Sequence, residues 1–311
     1  MPYTIRQEMF RSSYISLYES GELESRTIEA ENRAHSCNLC PHNCRVNRHD
    51  GEEGFCRNGI NALVASRGSH HGEEAPLVGT RGSGTIFFAN CNMRCVFCQN
   101  CDISQSGNGR ETSAEELADI MLSLQHRGCH NLNFVTPSHV VPAILRALFS
   151  AVPRGFHLPL VYNSGGYDSL STLGLLDGIF DIYMPDLKYA DNATAKRLSE
   201  APGYPEIAAR AVTEMHRQVG DLSISGGIAT RGLLVRHLVL PQDLAGSRSV
   251  IDFVSRLSKD TYLNLMDQYH PAYLARRYPG LGRRITLEEY DEVLRYARST
   301  GLFRLDGYTK V

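Results

Sequence analysis

From Gly84 onward the chain alternates short, nearly continuous apolar runs with longer stretches in which apolar residues recur every three or four positions. Continuous runs suit strands buried on both faces, and helical spacing suits the crossover helices that cover them. Strands are predicted at 84–90 (GTIFFAN), 131–136 (NLNFVT), 158–163 (LPLVYN), 181–186 (DIYMPD), 233–240 (LLVRHLVL) and 261–266 (TYLNLM). Helices are predicted at about 113–127, 138–150, 168–176, 191–200, 205–219, 247–258 and 286–300. Ser113 with Glu116 and Thr286 with Glu289 have the spacing of capping boxes. This strand and helix rhythm predicts an α/β fold, a partial (β/α)6 barrel over residues 81–311 closed by a carboxyl-terminal helix.

Upstream the pattern is different. Residues 1 to about 30 read as a helical lead-in with Tyr14, Ile15, Leu17 and Tyr18 set among charges. Residues 35 to 80 are rich in Gly, His, Asn and Cys with little periodicity, so an irregular module organised by a metal is expected there. Residues 1–80 are therefore expected to form an amino-terminal unit distinct from the barrel.

Composition narrows the partners more than the fold. A hydrophobic fraction of 42% and a charged fraction of 21% are ordinary for a globular chain of 311 residues. The formal charge of -2 argues against broad binding to nucleic acid or anionic lipid. The basic group Arg276, Arg277, Arg283 and Arg284 is explained as well by a solvated face. The opening residues MPYTIRQEMF carry Arg6 and Glu8, with Arg11 just beyond, and have no apolar run typical of a secretory signal. No stretch approaches the ~20 apolar residues of a membrane helix, so no membrane partner and a cytoplasmic location are expected. Gly79-Thr-Arg-Gly82-Ser-Gly84 opens into a predicted strand and so lacks the helix amino terminus that cradles phosphate.

Cysteine placement carries the chemistry. Of nine cysteines, Cys37, Cys40, Cys44 and Cys56 form one group and Cys91, Cys95, Cys98 and Cys101 another, with Cys129 isolated. Reduced thiols clustered in this way read as metal ligands. Cys91, Cys95 and Cys98 follow the first barrel strand at C-x3-C-x2-C spacing, which lets three thiolates hold three irons of a 4Fe-4S cubane and leaves the fourth iron open. Zinc prefers four ligands and paired C-x2-C knuckles. Ligation by Cys101 would close the open corner, so it is not assigned as a ligand. The four upstream thiols, at C-x2-C-x3-C-x11-C, suffice for a closed second metal site. Zinc and an additional 4Fe-4S cluster both fit that pattern, with His35 and His42 nearby as spare nitrogens.

The C-x3-C-x2-C motif in this position resembles the radical S-adenosylmethionine (SAM) superfamily. From Cys37 to about Leu305 the chain is similar to a branch of uncharacterised proteins related to the pyruvate formate-lyase activating enzyme. The telling runs are GTRGSGTIFFANCNMRCVFCQNCDIS (79–104), GCHNLNFVTPSH (128–139), LVYNSGGYDS (160–169), DIYMPDLKYAD (181–191), RGLLVRHLVLP (231–241) and NLMDQYHPAY (264–273). The resemblance implies SAM as cosubstrate, its amino and carboxylate groups chelating the open iron, and reductive cleavage to a 5′-deoxyadenosyl radical. In activating enzymes a strand-end D-x-K element helps hold SAM, and here MPDLK supplies Asp186 and Lys188. Asn163 and Ser164, with Asp186 and the Met184 carbonyl, sit where those enzymes bind a monovalent cation; Asn163 replaces an Asp, which leaves the cation open. Arg236 and His270 take strand-end positions that face SAM. One departure is the usual Gly-Gly-Glu run, replaced here by Val135-Thr136-Pro137-Ser138-His139, with Thr136 as the stand-in SAM contact. The resemblance further implies a flavodoxin or ferredoxin as electron donor. It also implies oxidoreductase or lyase chemistry on a glycine of a glycyl radical enzyme; the alternatives are a small-molecule substrate or a metal-binding regulator that has lost turnover.

Overall fold

The computed structural model describes residues 11–306, so the opening decapeptide examined above for a secretory signal lies outside the described residues. Helices α1 (Ser13–Glu19) and α2 (Glu22–Ala34) realise the lead-in. Tyr14 is fully buried, its hydroxyl donating to the Leu158 carbonyl at 2.9 Å, so α1 is anchored beneath a barrel strand. Residues 35–61 contain no regular element beyond a single 3-10 turn at Arg48–Asp50.

The chain then runs through β1 (Ala62–His70), α3 (Ala75–Val78), β2 (Ser83–Phe88), α4 (Cys101–Ser104), β3 (Arg110–Thr112), α5 (Ala114–His126), β4 (Leu132–Val135) and α6 (Val141–Ala151). It continues with β5 (Leu160–Ser164), α7 (Leu170–Leu176), β6 (Ile182–Pro185), α8 (Asn192–Ser199), α9 (Tyr204–Val219), β7 (Ser223–Ser225), β8 (Ile228–Leu238), α10 (Ser247–Leu257), β9 (Tyr262–Met266) and α11 (Leu287–Ser299). Both capping boxes form, at the starts of α5 and α11, each satisfying amide donors that a helix amino terminus leaves free.

The strand order is β3-β1-β2-β4-β5-β6-β8-β7, with β9 added on β8. β2, β4, β5, β6, β8 and β9 are parallel, and they are the six predicted strands. The sheet is open, giving a mixed α/β fold of the partial-barrel kind. One run departs from expectation: residues 62–70, assigned above to the irregular module, form β1, antiparallel to β2 at the sheet edge. Its sequence offers few apolar positions beyond Ala62, Leu63 and Val64, and the hydrogen-bond ladder to β2 supplies what its side chains lack. Another small difference is the start of α6, which waits until Val141 because Pro137–Val140 forms a turn.

Two apolar cores result. The larger lies between the sheet and its helices and contains Phe134, Leu160 and Tyr183, all fully buried; each such side chain is worth roughly 1.5–3 kcal/mol. The smaller fills the barrel floor, where Leu77 of α3 packs with Val161, Ile182, Met184 and Leu234. The segment carrying α3 also reaches the far edge of the sheet, because Glu74 accepts a 2.9 Å hydrogen bond from Asn264 of β9. Filled below, the barrel presents its cavity at the carboxyl ends of the parallel strands, where α/β barrels place chemistry.

Candidate active site at the strand ends

The loop 91–98 that follows β2 has no secondary structure of its own, yet it is held on several sides. The last carbonyls of a helix have no partner within it, and those of Leu198 and Ser199 in α8 accept the amides of Val96 and Arg94 at 2.9 and 2.8 Å. Leu274 donates its amide to the Val96 carbonyl at 2.9 Å, and Phe97 is buried with its ring edge toward Tyr189 and Tyr269. Three aromatic rings therefore form an apolar wall beside this loop.

Cys91, Cys95 and Cys98 line one cavity together with Thr136, Asn163, Ser164, Asp186, Lys188 and Arg236, which unites all three barrel thiols and six of the seven predicted SAM contacts. Each thiol has a polar neighbour. The Met93 amide donates to Cys91 Sγ at 3.3 Å, the Ser199 hydroxyl to Cys95 Sγ at 3.0 Å, and Ser104 Oγ lies 3.1 Å from Cys98 Sγ. Such donors stabilise a thiolate once it is metallated. Without metal, burial pushes the Cys91 thiol well above its usual range and raises that of Cys95. Loading must then displace their protons.

A buried ion network forms another part of the wall. Lys188 Nζ donates to Asp186 Oδ2 at 2.6 Å, and Arg236 donates through Nε to Asp186 Oδ1 at 2.8 Å and through Nη2 to Asn163 Oδ1 at 2.7 Å. Burial pushes Asp186 up, but Arg236 and then Lys188 outweigh it and hold the carboxyl below its usual range. Burial likewise opposes the charge of Lys188, and Asp186 reverses that to raise its basicity. The site thus keeps the Asp186 carboxylate between two cations, with buried Glu74 a further 3.9 Å partner of Arg236; the guanidinium and ammonium donors suit a carboxylate-bearing ligand.

The strand ends that carry these groups are held by buried polar contacts. The Tyr204 hydroxyl accepts the Lys188 amide at 2.9 Å and lies 2.8 Å from both the Gly165 and Asp186 carbonyls. Gly166 has φ +74°, and a Cβ there would stand 2.3 Å from the Asp186 carbonyl oxygen. Only glycine meets both demands. Ser164 lines the cavity, but its hydroxyl is committed to Asp168 at 2.7 Å, and Asp168 also accepts from Tyr162 at 2.9 Å. Thr136 holds a left-handed φ of 62° while its amide donates to the Asn163 carbonyl at 2.8 Å, a strained backbone of the kind that marks functional sites.

Two residues sit apart. His270 lies outside the cavity wall, its Nδ1 3.3 Å from Gln99 Nε2 beside Cys98. Cys101 begins the short α4 and does not line the cavity. Among the described residues no three His, Cys, Asp or Glu side chains converge on a single point as the ligands of one ion do. A cubane does not ask for that, because each thiolate binds a different corner. Three thiols on one cavity wall, with donors to their sulfurs and no fourth cysteine among the lining residues, fit a cluster with one open iron.

The sequence profile described as "Radical SAM superfamily" matches residues 85–231, from β2 into β8. A curated relative, "Uncharacterized protein MJ0674" of Methanocaldococcus jannaschii, is 34% identical over 290 residues, covering 90% of this chain and 79% of the relative. The chain belongs to the radical SAM superfamily. Radical SAM enzymes carry a 4Fe-4S cluster and SAM. Similar solved structures include a radical SAM methyltransferase from Sphaerobacter thermophilus, 13% identical, covering 92% of this chain and 89% of that one with a TM-score of 0.44. SuiB of Streptococcus suis bound to S-adenosylmethionine is 10% identical with a TM-score of 0.49, covering 71% of this chain and 48% of that one, so this radical SAM chain spans about half of SuiB. No helix among the described residues is long and apolar enough to cross a membrane.

The amino-terminal thiols lie apart from that cavity. Cys37, Cys40 and Cys56 are buried and Cys44 is half-buried. Burial pushes the Cys40 thiol up to about 12. His35 stacks on His49 with centroids 4.0 Å apart, and His42 stacks on Phe55 at 3.7 Å with its Nε2 2.9 Å from the Asn92 carbonyl. Sequence reasoning missed Ser199, Tyr204, Asp168 and Arg48, residues whose roles rest on contacts that no motif or periodicity marks.

Proposed function

We propose that this protein is an activating-type radical SAM enzyme, which cleaves SAM reductively and uses the adenosyl radical to abstract hydrogen from a glycine of a partner protein. The observation that carries the reading is the single cavity shared by the three-thiol loop and the Asp186, Lys188 and Arg236 network. When bound, the cluster supplies an open iron and a low-potential electron. The chain's own residues do the rest. Lys188 and Arg236 attract and orient the SAM carboxylate, Asp186 holds both cations in place, and Asn163 fixes the Arg236 guanidinium. Thr136, at its strained strand end, offers backbone groups to the SAM amine where the family uses Gly-Gly-Glu. Phe97, Tyr189 and Tyr269 exclude water from the loop side. The amino-terminal tetrad adds a second metal site, and the electron donor is a flavodoxin or ferredoxin. The sheet is open, which suits a protein loop as substrate.

The test has two stages. Anaerobic enzyme reduced with dithionite should convert SAM to 5′-deoxyadenosine and methionine, and the Cys91→Ala, Cys95→Ala, Cys98→Ala variant should not. Incubation with candidate glycyl radical enzymes should then produce a glycyl doublet in the electron spin resonance spectrum. Deoxyadenosine without any doublet would move the substrate to a small molecule.

A further inference from the structure

A buried cation lies among the amino-terminal thiols. Arg48 is only 3% exposed, yet the groups that meet its guanidinium are the Cys56 sulfur, 3.2 Å from Nη2, and the His139 carbonyl, 2.6 Å from Nη1. Its Nε is buried without a partner. A charge this deep needs a counter-charge, and the nearest candidates are the thiols themselves. The site is built for an anionic, metal-bound set of sulfurs. Gly54 fits the same purpose, because a Cβ there would stand 2.9 Å from Cys44 Sγ.

The module is also joined to the barrel loop by a continuous run of contacts. The Phe55 amide donates to Cys44 Sγ at 3.3 Å; the Phe55 ring stacks on His42 at 3.7 Å; His42 Nε2 donates to the Asn92 carbonyl at 2.9 Å; and Asn92 adjoins Cys91. Arg94 Nη2 donates to the Phe55 carbonyl at 2.5 Å and Asn90 Nδ2 to the Arg57 carbonyl at 2.9 Å. From Cys44 to Cys91 each step is thus a covalent link or a direct contact. A redox-silent ion would make no use of it.

We propose that Cys37, Cys40, Cys44 and Cys56 hold a second 4Fe-4S cluster, closed on all four corners, which relays electrons to the barrel cluster through Phe55, His42 and Asn92, with Arg48 as its buried counter-cation. The relay takes one electron from a low-potential donor of the flavodoxin or ferredoxin class, which is oxidised, and passes it to the barrel cluster; no bond forms or breaks and no proton moves. The proposal rests on the radical SAM reading for its acceptor, but its ligand count does not.

Anaerobic wild-type protein is expected to contain about eight irons and eight sulfides per chain, two cubanes, and no stoichiometric zinc. The Cys91→Ala, Cys95→Ala, Cys98→Ala variant should keep about half of the iron with an all-cysteine cubane spectrum. One zinc and about four irons per wild-type chain would overturn the proposal whether or not SAM is cleaved. Conversely, absence of deoxyadenosine from an eight-iron protein would sink the radical reading and leave the second cluster standing. The path is tested with all ligands intact. Pre-reduced wild type, freed of reductant and mixed with SAM, should yield up to about two deoxyadenosines per chain, one for each stored electron. His42→Leu should slow the second at least tenfold and leave the first unchanged; an unchanged second phase removes His42 from the route. Arg48→Gln should move the midpoint potential of the closed cluster negative while that of the barrel cluster stays put, and an unmoved potential would remove Arg48 as counter-cation.

Discussion

The two cysteine groups of this chain differ in spacing, C-x3-C-x2-C against C-x2-C-x3-C-x11-C, and still more in surroundings. The barrel thiols share a wall with a carboxylate and two cations that have strand ends to stand on. The amino-terminal thiols are enclosed by a loop module with one buried guanidinium and no regular element beyond a 3-10 turn across residues 35–61. An incomplete ligand set needs a rigid frame, since the metal cannot impose its own geometry on an open corner. A complete set can lean on the metal, because binding and local folding are then the same event. The barrel loop accordingly takes its shape from α8, Leu274 and three aromatic rings, whereas the module takes little from its own core.

That contrast can be broken most forcefully by stripping the metals. Anaerobic chelation should abolish amide exchange protection across residues 37–58 and leave the protection of β4, β5 and β6 intact, as read by hydrogen exchange with mass spectrometry. Equal loss in both regions would mean that the module and barrel fold as one unit. A smaller effect is expected at the ion network: Asp186→Asn leaves Lys188 and Arg236 buried without their shared anion, at a cost of about 3–5 kcal/mol in urea unfolding. SAM-dependent deoxyadenosine formation should fall with it, whereas the iron content of the amino-terminal tetrad should not. The smallest of the three sharpens the role of the strand ends. Gly166→Ala sets a Cβ 2.3 Å from the Asp186 carbonyl at a left-handed φ, and should destabilise the fold by about 2–4 kcal/mol. Unchanged stability there would show that this strand end is free to move.

Legibility in the sequence followed the range of the forces involved. The six parallel strands and their helices announced themselves through local periodicity, and the two capping boxes through spacing of three residues. The strand β1 did not, because its place depends on hydrogen bonds to β2 rather than on its own side chains. Thr136, Asn163, Asp186, Lys188 and Arg236 were legible as strand-end residues and do line one cavity. The hydroxyl of Ser164 was not legible as a partner of Asp168, nor Ser199 as a donor to Cys95, 104 positions away.

By itself the sequence determined which thiols group together, how many thiols each group offers, and the alternation that builds an open parallel barrel. Ligand count and periodicity are properties of spacing along the chain, so they need no partner to be read. Only the tertiary structure decided that the buried Arg48 reaches the His139 carbonyl, that Arg236 comes to Asp186, and that His42 meets the Asn92 carbonyl. Those are pairings between residues far apart in sequence, fixed by the cost of leaving a buried charge or hydrogen-bond donor alone.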